Sequence, residues 1–277
     1  MPSSRAFHPP SDSRSAPSDS VPEASDSAHS TAVPGDSGPA GGRIRGAERV
    51  AAAVEVVACS GVPTQLLIAP LIVASGWAPA SLAGPTLALV APLLLIDTAV
   101  LVAMMVFFTR RRGESVHALW LGTRSNVREA LRGIALIPAV FLSVVILLNL
   151  LRLLVPALRS VPVNPMEQMA TQSLRDAILF AFVAIVGGGV REELQRAFML
   201  RRFERYLGGP AVGVIVLSVA FGLGHLNQGY DAGLVTGTLG AFWAVVYLRR
   251  RSVLAPMVSH AGFNAIEVLS VALLRKT

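Results

Sequence analysis

The chain has 277 residues, 53% of them hydrophobic and only 15% charged, with a formal net charge of +7 and a mean hydropathy of +0.58. A soluble domain carries about a quarter of its residues as charged groups, so this composition excludes a water-exposed globular protein and requires lipid as the solvent for its long apolar runs. Nucleic acid is excluded as a partner despite the basic balance, because the arginines cluster where apolar spans end, at 110–112, 201–205 and 249–251.

In chain order, residues 1–42 form a Ser/Pro/Asp/Ala/Gly-rich arm ("SDSRSAPSDSVPEASDSAHSTAVPGDSGPAGG"). It has too little apolar surface to offset the entropy of ordering and is read as a disordered N-terminal arm. The arm lacks the charged n-region and apolar core of a signal peptide. Residues 43–277 are read as one integral membrane domain. Seven spans are predicted, at 50–76, 85–108, 133–156, 174–206, 210–227, 231–248 and 253–273. The expected fold is all-α, a polytopic membrane helical bundle. The linker 109–132 is partly amphipathic and is expected to lie on the membrane surface. The single cysteine, Cys59, makes no intrachain disulfide, and there is no Cys–His metal framework.

Charge sets the expected topology. With the arm in the cytoplasm and the spans alternating, 109–132, 201–209 and 249–251 fall inside, whereas the arginine-poor turns fall outside. The expected location is the bacterial inner (plasma) membrane, with the lipid bilayer as the first partner.

Ionisable side chains within spans are expensive, so each one is a candidate functional group. The strongest are Glu192, Glu193, His225, His260 and Glu267, with Asn264 as a polar partner. At ~1.5 Å per helical residue, Glu192 lies about 20 Å above Arg205, His225 about 22 Å above Pro210 and Asn264 about 18 Å above Ser252, with His260 lower at about 12 Å. Three spans therefore bring polar groups to a similar level, as one cavity requires. Arg196 is four residues after Glu192 and three after Glu193, so its guanidinium can lie between the two carboxylates. His260 and Asn264 share one helix face, and Phe221 and His225 another. The bland alternatives are interhelical hydrogen bonding for each histidine and an ion-paired helix end for the glutamates. Glu55, Asp97 and Asn149 have no clustered partner in sequence and are read as packing or cavity-lining groups. The "GGG" run at 187–189 is read as a kink or a close-approach point.

These residues resemble the CAAX-protease and bacteriocin-processing (CPBP) family of intramembrane proteases, which is marked by EExxxR, FxxxH and HxxxN motifs. "FGLGH" (Phe221, His225) and "HAGFN" (His260, Asn264) match the second and third motifs in order. The resemblance covers a protease core at about 170–270. The first motif departs from the pattern, because "EELQR" places Arg196 four residues after Glu192 rather than five. Anchoring on the arginine puts Arg191 on the first-glutamate position. Anchoring on the glutamates keeps Glu192 first and turns Arg196 by ~100°.

The resemblance implies an endopeptidase that hydrolyses membrane-bound or lipidated (CAAX-type) protein substrates. In that role Glu192 activates water as general base, a histidine orients the water or donates to the leaving amine, and Asn264 with His260 serves the oxyanion. Arg196 then holds Glu193 ionised, and access is expected from the cytoplasm. Zinc remains open as a cofactor, with Glu192, His225 and His260 as candidate ligands, beside a metal-free route. The competing class is a non-enzyme: an inactive membrane scaffold or a proton-coupled transporter. No second copy of any polar motif marks the repeat symmetry common in transporters.

Overall fold

The computed structural model describes residues 46–79, 86–161, 164–170 and 172–274. The arm read at 1–42 lies outside the described residues. Those described contain eleven α-helices and no strand: α1 (Gly46–Ala58), α2 (Val62–Ala74), α3 (Leu87–Arg111), α4 (Val116–Trp120), α5 (Asn126–Leu154), α6 (Pro165–Ala170), α7 (Leu174–Val183), α8 (Glu192–Tyr206), α9 (Pro210–Gly224), α10 (Tyr230–Arg250) and α11 (Leu254–Leu274). A π-helical segment, Ala184–Arg191, joins α7 to α8 without a break.

Five stretches are long and apolar enough to cross a membrane: α1 with α2, then α3, α5, α10 and α11. A helix satisfies every backbone donor and acceptor internally, so lipid tolerates it. Their outer faces expose large apolar side chains such as Leu66, Leu67, Leu142, Val145 and Ile266. In water such surface would drive aggregation; against acyl chains it is neutral. This is an integral membrane protein.

The other two predicted spans differ from expectation. α9 has only 15 residues and ends at Gly224. The predicted span 174–206 is not a single apolar helix but α7, the π segment and α8 in series. α8 buries Glu193, Gln195, Arg196 and Arg202 along with its apolar residues. It packs against α1, α3 and α9, so protein rather than lipid surrounds it. A polar helix survives at the centre of the bundle because each charge finds an opposite charge there.

Ion pairs gather the arginine-rich end. Arg112 and Arg202 both donate to Glu55 at 2.8 and 2.5 Å, and Arg202 and Arg205 to Glu114 at 3.0 and 2.8 Å. Arg250 reaches Glu129 and Arg251 reaches Glu204. Glu55 is thus a structural ion-pair centre, and several arginines read as topology anchors also tie helices together. Asn149 donates to the carbonyl of Val145 on its own exposed helix face.

Within the linker 109–132, α3 runs to Arg111 and α5 starts at Asn126, leaving the short α4 between them. α4 is partly exposed and tied to the bundle: Trp120 Nε1 donates to the Leu194 carbonyl at 3.2 Å, Val253 N to the Trp120 carbonyl at 2.7 Å and Tyr247 Oη to the Leu119 carbonyl at 2.9 Å. These contacts hold the arginine-rich end. The opposite end is held by Arg152 on Asp231 at 2.7 Å and by Tyr230 N on Ser160 Oγ at 3.1 Å.

Candidate active site

The three motif stretches converge on one cavity of about 400 Å³, whose wall includes Glu192, Phe221, His225, His260, Asn264 and Glu267. Glu192 opens α8, His225 caps the end of α9, and His260 and Asn264 lie one turn apart on α11. Glycine explains how these helices come so near. A Cβ on Gly189 would fall 2.5 Å from Ala261 Cα, and one on Gly188 2.5 Å from Asn264 Nδ2. The "GGG" run therefore serves both readings, a helical irregularity and a close approach of α11. Where the π segment widens the helix, Asn264 Nδ2 reaches the Ala184 carbonyl at 3.2 Å.

The two adjacent glutamates occupy different environments. Glu193 is buried behind the wall, and its Oε1 accepts from Arg196 and, at 2.9 Å, from Nδ1 of His260. Glu192 stays in the cavity. Its Oε1 accepts from Arg191 Nη2 at 3.1 Å, while its Oε2 stands 3.9 Å from His260 Nε2. Arg196 thus does not lie between the two carboxylates. The structure gives it to Glu193, and Glu192 pairs with Arg191 instead. Helical phase explains the split, since neighbouring side chains on a helix point about 100° apart.

Aromatic side chains fix the imidazoles. Trp243 stacks on His260 with ring centroids 3.8 Å apart and planes at 15°. Phe221 presents an edge contact to His225 at 4.7 Å and to His260 at 6.1 Å, and Arg196 lies 4.9 Å over the Phe221 ring. Arginine of the first motif, phenylalanine of the second and histidine of the third thus interlock directly. A carbonyl only accepts, so the 2.8 Å contact of His225 Nδ1 with the Phe221 carbonyl places a hydrogen on Nδ1. The carboxylate of Glu193 does the same for His260. Both histidines keep Nε2 for the cavity.

Two contributors were not evident from the sequence. Trp243 lies seventeen residues before His260 in an apolar span, where no spacing marks it. Asp97 does have a partner: its Oδ2 accepts from Arg191 Nη1 at 2.9 Å. The only sequence signal was an acid within a span.

The cavity runs from Trp243 and His260 toward Arg152, Arg159, Asn164 and Gln228. That is the arginine-poor end. The expectation that the cavity sits above the short arginine-rich turns is not met by its lining, which runs the other way, and at the arginine-rich end α4 is hydrogen-bonded to Leu194, Tyr247 and Val253.

Residues 174–266 match the family model described as "Type II CAAX prenyl endopeptidase Rce1-like". The segment spans α7 to most of α11 and contains all three motif stretches. Comparison with curated proteins and with solved structures finds no match. The resemblance to CPBP-type membrane proteases holds over this segment.

Proposed function

We propose that this relative of the type II CAAX prenyl endopeptidases is an intramembrane endopeptidase in which Glu192 activates the attacking water. The observation that carries this reading is the pairing of Glu192 Oε2 with His260 Nε2 across 3.9 Å on the cavity wall. A water beside both acceptors donates one hydrogen to each and turns its lone pairs toward the substrate carbonyl. Glu192 takes a proton as the oxygen–carbon bond forms, and returns it to the amine nitrogen as the peptide bond breaks. Asn264 has two N–H donors, of which one serves the Ala184 carbonyl and the other serves the developing oxyanion. Glu193 keeps the His260 ring in place, Arg196 neutralises Glu193, and His225 Nε2 lines the leaving-group side.

Zinc is the other route the sequence left open. Such a site brings three side chains onto one ion at about 2.0–2.2 Å. Among the described residues no three His, Cys, Asp or Glu side chains converge in that way. The donors as arranged do not fit the ion, and no step here passes through one. Both His225→Ala and His260→Ala should lose cleavage, with chelation inhibiting slowly or incompletely. A stoichiometric metal in the purified active protein, lost in both variants and restored together with activity, would defeat the metal-free route.

We place the arginine-rich end in the cytoplasm of a bacterial inner membrane, following the charge rule. The cavity mouth then faces the outer side, and the substrate is a membrane-bound or lipidated peptide presented from that side. One observation favours a second reading. In the arginine-anchored register Arg191 stands on the family's first-glutamate position and pairs with Glu192, which suits a protein that binds membrane segments without cutting them. Purified protein in liposomes, given a prenylated Cys-terminal-motif peptide or a tethered transmembrane peptide, separates the two. Release of a C-terminal fragment by the wild type and none by Glu192→Gln supports hydrolysis. Binding without release in both supports the scaffold.

A further inference from the structure

Arg191 and Glu192 are adjacent in sequence, and neighbours on a helix do not face each other. Their pairing therefore needs an outside anchor, and the structure supplies one. Asp97 of α3 is fully buried, and Arg191 is nearly so, at 6% exposure. The guanidinium is held at three points: Nε donates to the Gly187 carbonyl at 2.9 Å, Nη1 to Asp97 Oδ2 at 2.9 Å and Nη2 to Glu192 Oε1 at 3.1 Å. Asp97 is itself fixed from α2, where the Thr64 hydroxyl donates to Oδ1 and the Gln65 amide to Oδ2 at 3.0 Å. Gly61, at the α1–α2 junction with φ 85°, leaves room for this cluster, since a Cβ there would lie 3.2 Å from Arg191 Nη1. A glycine is suited to both demands, the left-handed turn and the missing side chain.

The consequence lies at the cavity wall. A carboxylate on a free side chain presents either oxygen in many rotamers. Here the planar guanidinium, immobilised by Asp97, takes Oε1 of Glu192 and leaves Oε2 aimed at His260. Four elements outside the motif helices (α2, α3, the α1–α2 turn and the π segment) thus set the direction of one carboxylate oxygen. The displaced spacing of the first motif acquires a purpose, because Arg191 and Glu192 meet at the junction of the π segment and α8.

We infer that Asp97 and Arg191 are positioning residues for peptide hydrolysis: the Asp97-anchored guanidinium orients Glu192 so that its second oxygen faces the attacking water. The inference rests on the endopeptidase reading above. It predicts loss in kcat rather than in KM for Asp97, which is fully buried behind the cavity wall, whereas Arg191 lines that wall. A misplacement of about 1 Å at the reacting groups costs roughly 100-fold, so Arg191→Gln and Asp97→Asn should each lower kcat about ten- to hundred-fold, with KM changed less than about three-fold in Asp97→Asn.

The experiment measures release of the peptide fragment in liposomes by the wild type, Glu192→Gln, Asp97→Asn, Asp97→Glu, Arg191→Gln and the double variant Asp97→Asn/Arg191→Gln. If Asp97 acts only through Arg191, the double variant is no slower than Arg191→Gln alone, and Asp97→Glu retains more activity than Asp97→Asn. Asp97→Asn alone leaves a buried guanidinium short of its anion and can fail to fold. The double variant carries no unpaired buried charge and decides the matter in that case. Wild-type kcat in the folded double variant, or a loss confined to KM, overturns the positioning role while leaving the hydrolytic reading intact. A wild type that cleaves nothing brings down the hydrolytic reading and the inference with it.

Discussion

Glu192 and Glu193 are chemically identical neighbours, and the structure predicts opposite consequences for losing them. Glu193 is 1% exposed and bonded to Arg196, which is itself only 6% exposed. Removing the carboxylate leaves a buried guanidinium without its counter-ion, a change that typically costs roughly 3–5 kcal/mol. The Arg196 ring contacts with Phe221 at 4.9 Å and Trp243 at 5.8 Å are the same with or without Glu193 and offset none of this cost. The net loss for Glu193→Ala should therefore fall at about 3–5 kcal/mol. His260 also loses its ring anchor, so cleavage weakens. Glu192→Ala differs. Its partner Arg191 keeps Asp97 and the Gly187 carbonyl, and the lost pair faces the cavity, so stability changes by less than about 1 kcal/mol while cleavage is abolished. Unfolding titrations in mixed micelles, run beside peptide-release assays, read both quantities. A Glu193→Ala protein as stable and as active as the wild type would refute the burial argument. An essential Glu193 with a dispensable Glu192 would overturn the assignment of the base.

The glycine run separates site damage from fold damage. Gly188→Ala pushes only on the end of Asn264 and should lower cleavage with little loss of fold, whereas Gly189→Ala meets the Ala261 backbone and should cost about 1–3 kcal/mol in the same unfolding titration. For topology, Ala157→Cys should react with an impermeant thiol reagent added outside cells, and Ser125→Cys only after permeabilisation; Cys59 is fully buried and can remain. External labelling of Ser125→Cys would reverse the orientation and put the cavity mouth in the cytoplasm. At the arginine-rich end, outside the apolar spans, the hydrogen bond from Arg251 holds the Glu204 carboxyl below its ordinary value of 4.5. A depressed carboxyl contributes its stability above the unfolded value and loses it as pH falls through the folded one. Thermal unfolding in detergent should thus show a decline in stability below about pH 4.5 that Glu204→Gln reduces; an unchanged acid profile in that variant would refute the contribution.

Much of the molecule was legible in the chain because the signals are local. Hydropathy over a window of about 20 residues is a property of neighbours, and it located α3, α5, α10 and α11 near their observed positions. The polar residues of the three motifs stood out against apolar surroundings, and helical rise alone put Glu192, His225 and Asn264 at similar depth. The same locality explains the misreading of 174–206. Its length matched a span, but whether a polar helix can cross depends on what encloses it, and α1, α3 and α9 are remote in sequence.

The sequence by itself determined that lipid is the solvent, that the chain is helical, and that the motif side chains Glu192, His225, His260 and Asn264 are candidates for one site, since each follows from composition or short spacing. Tertiary structure alone decided which glutamate is buried, that Trp243 stacks on His260, that α4 is tied to the bundle at the arginine-rich end, and that the cavity runs the other way. It also joined Asp97 to Arg191 across 94 positions. A buried charge is tolerable only with its partner in place, and the identity of that partner is set by helix packing, which no local pattern encodes.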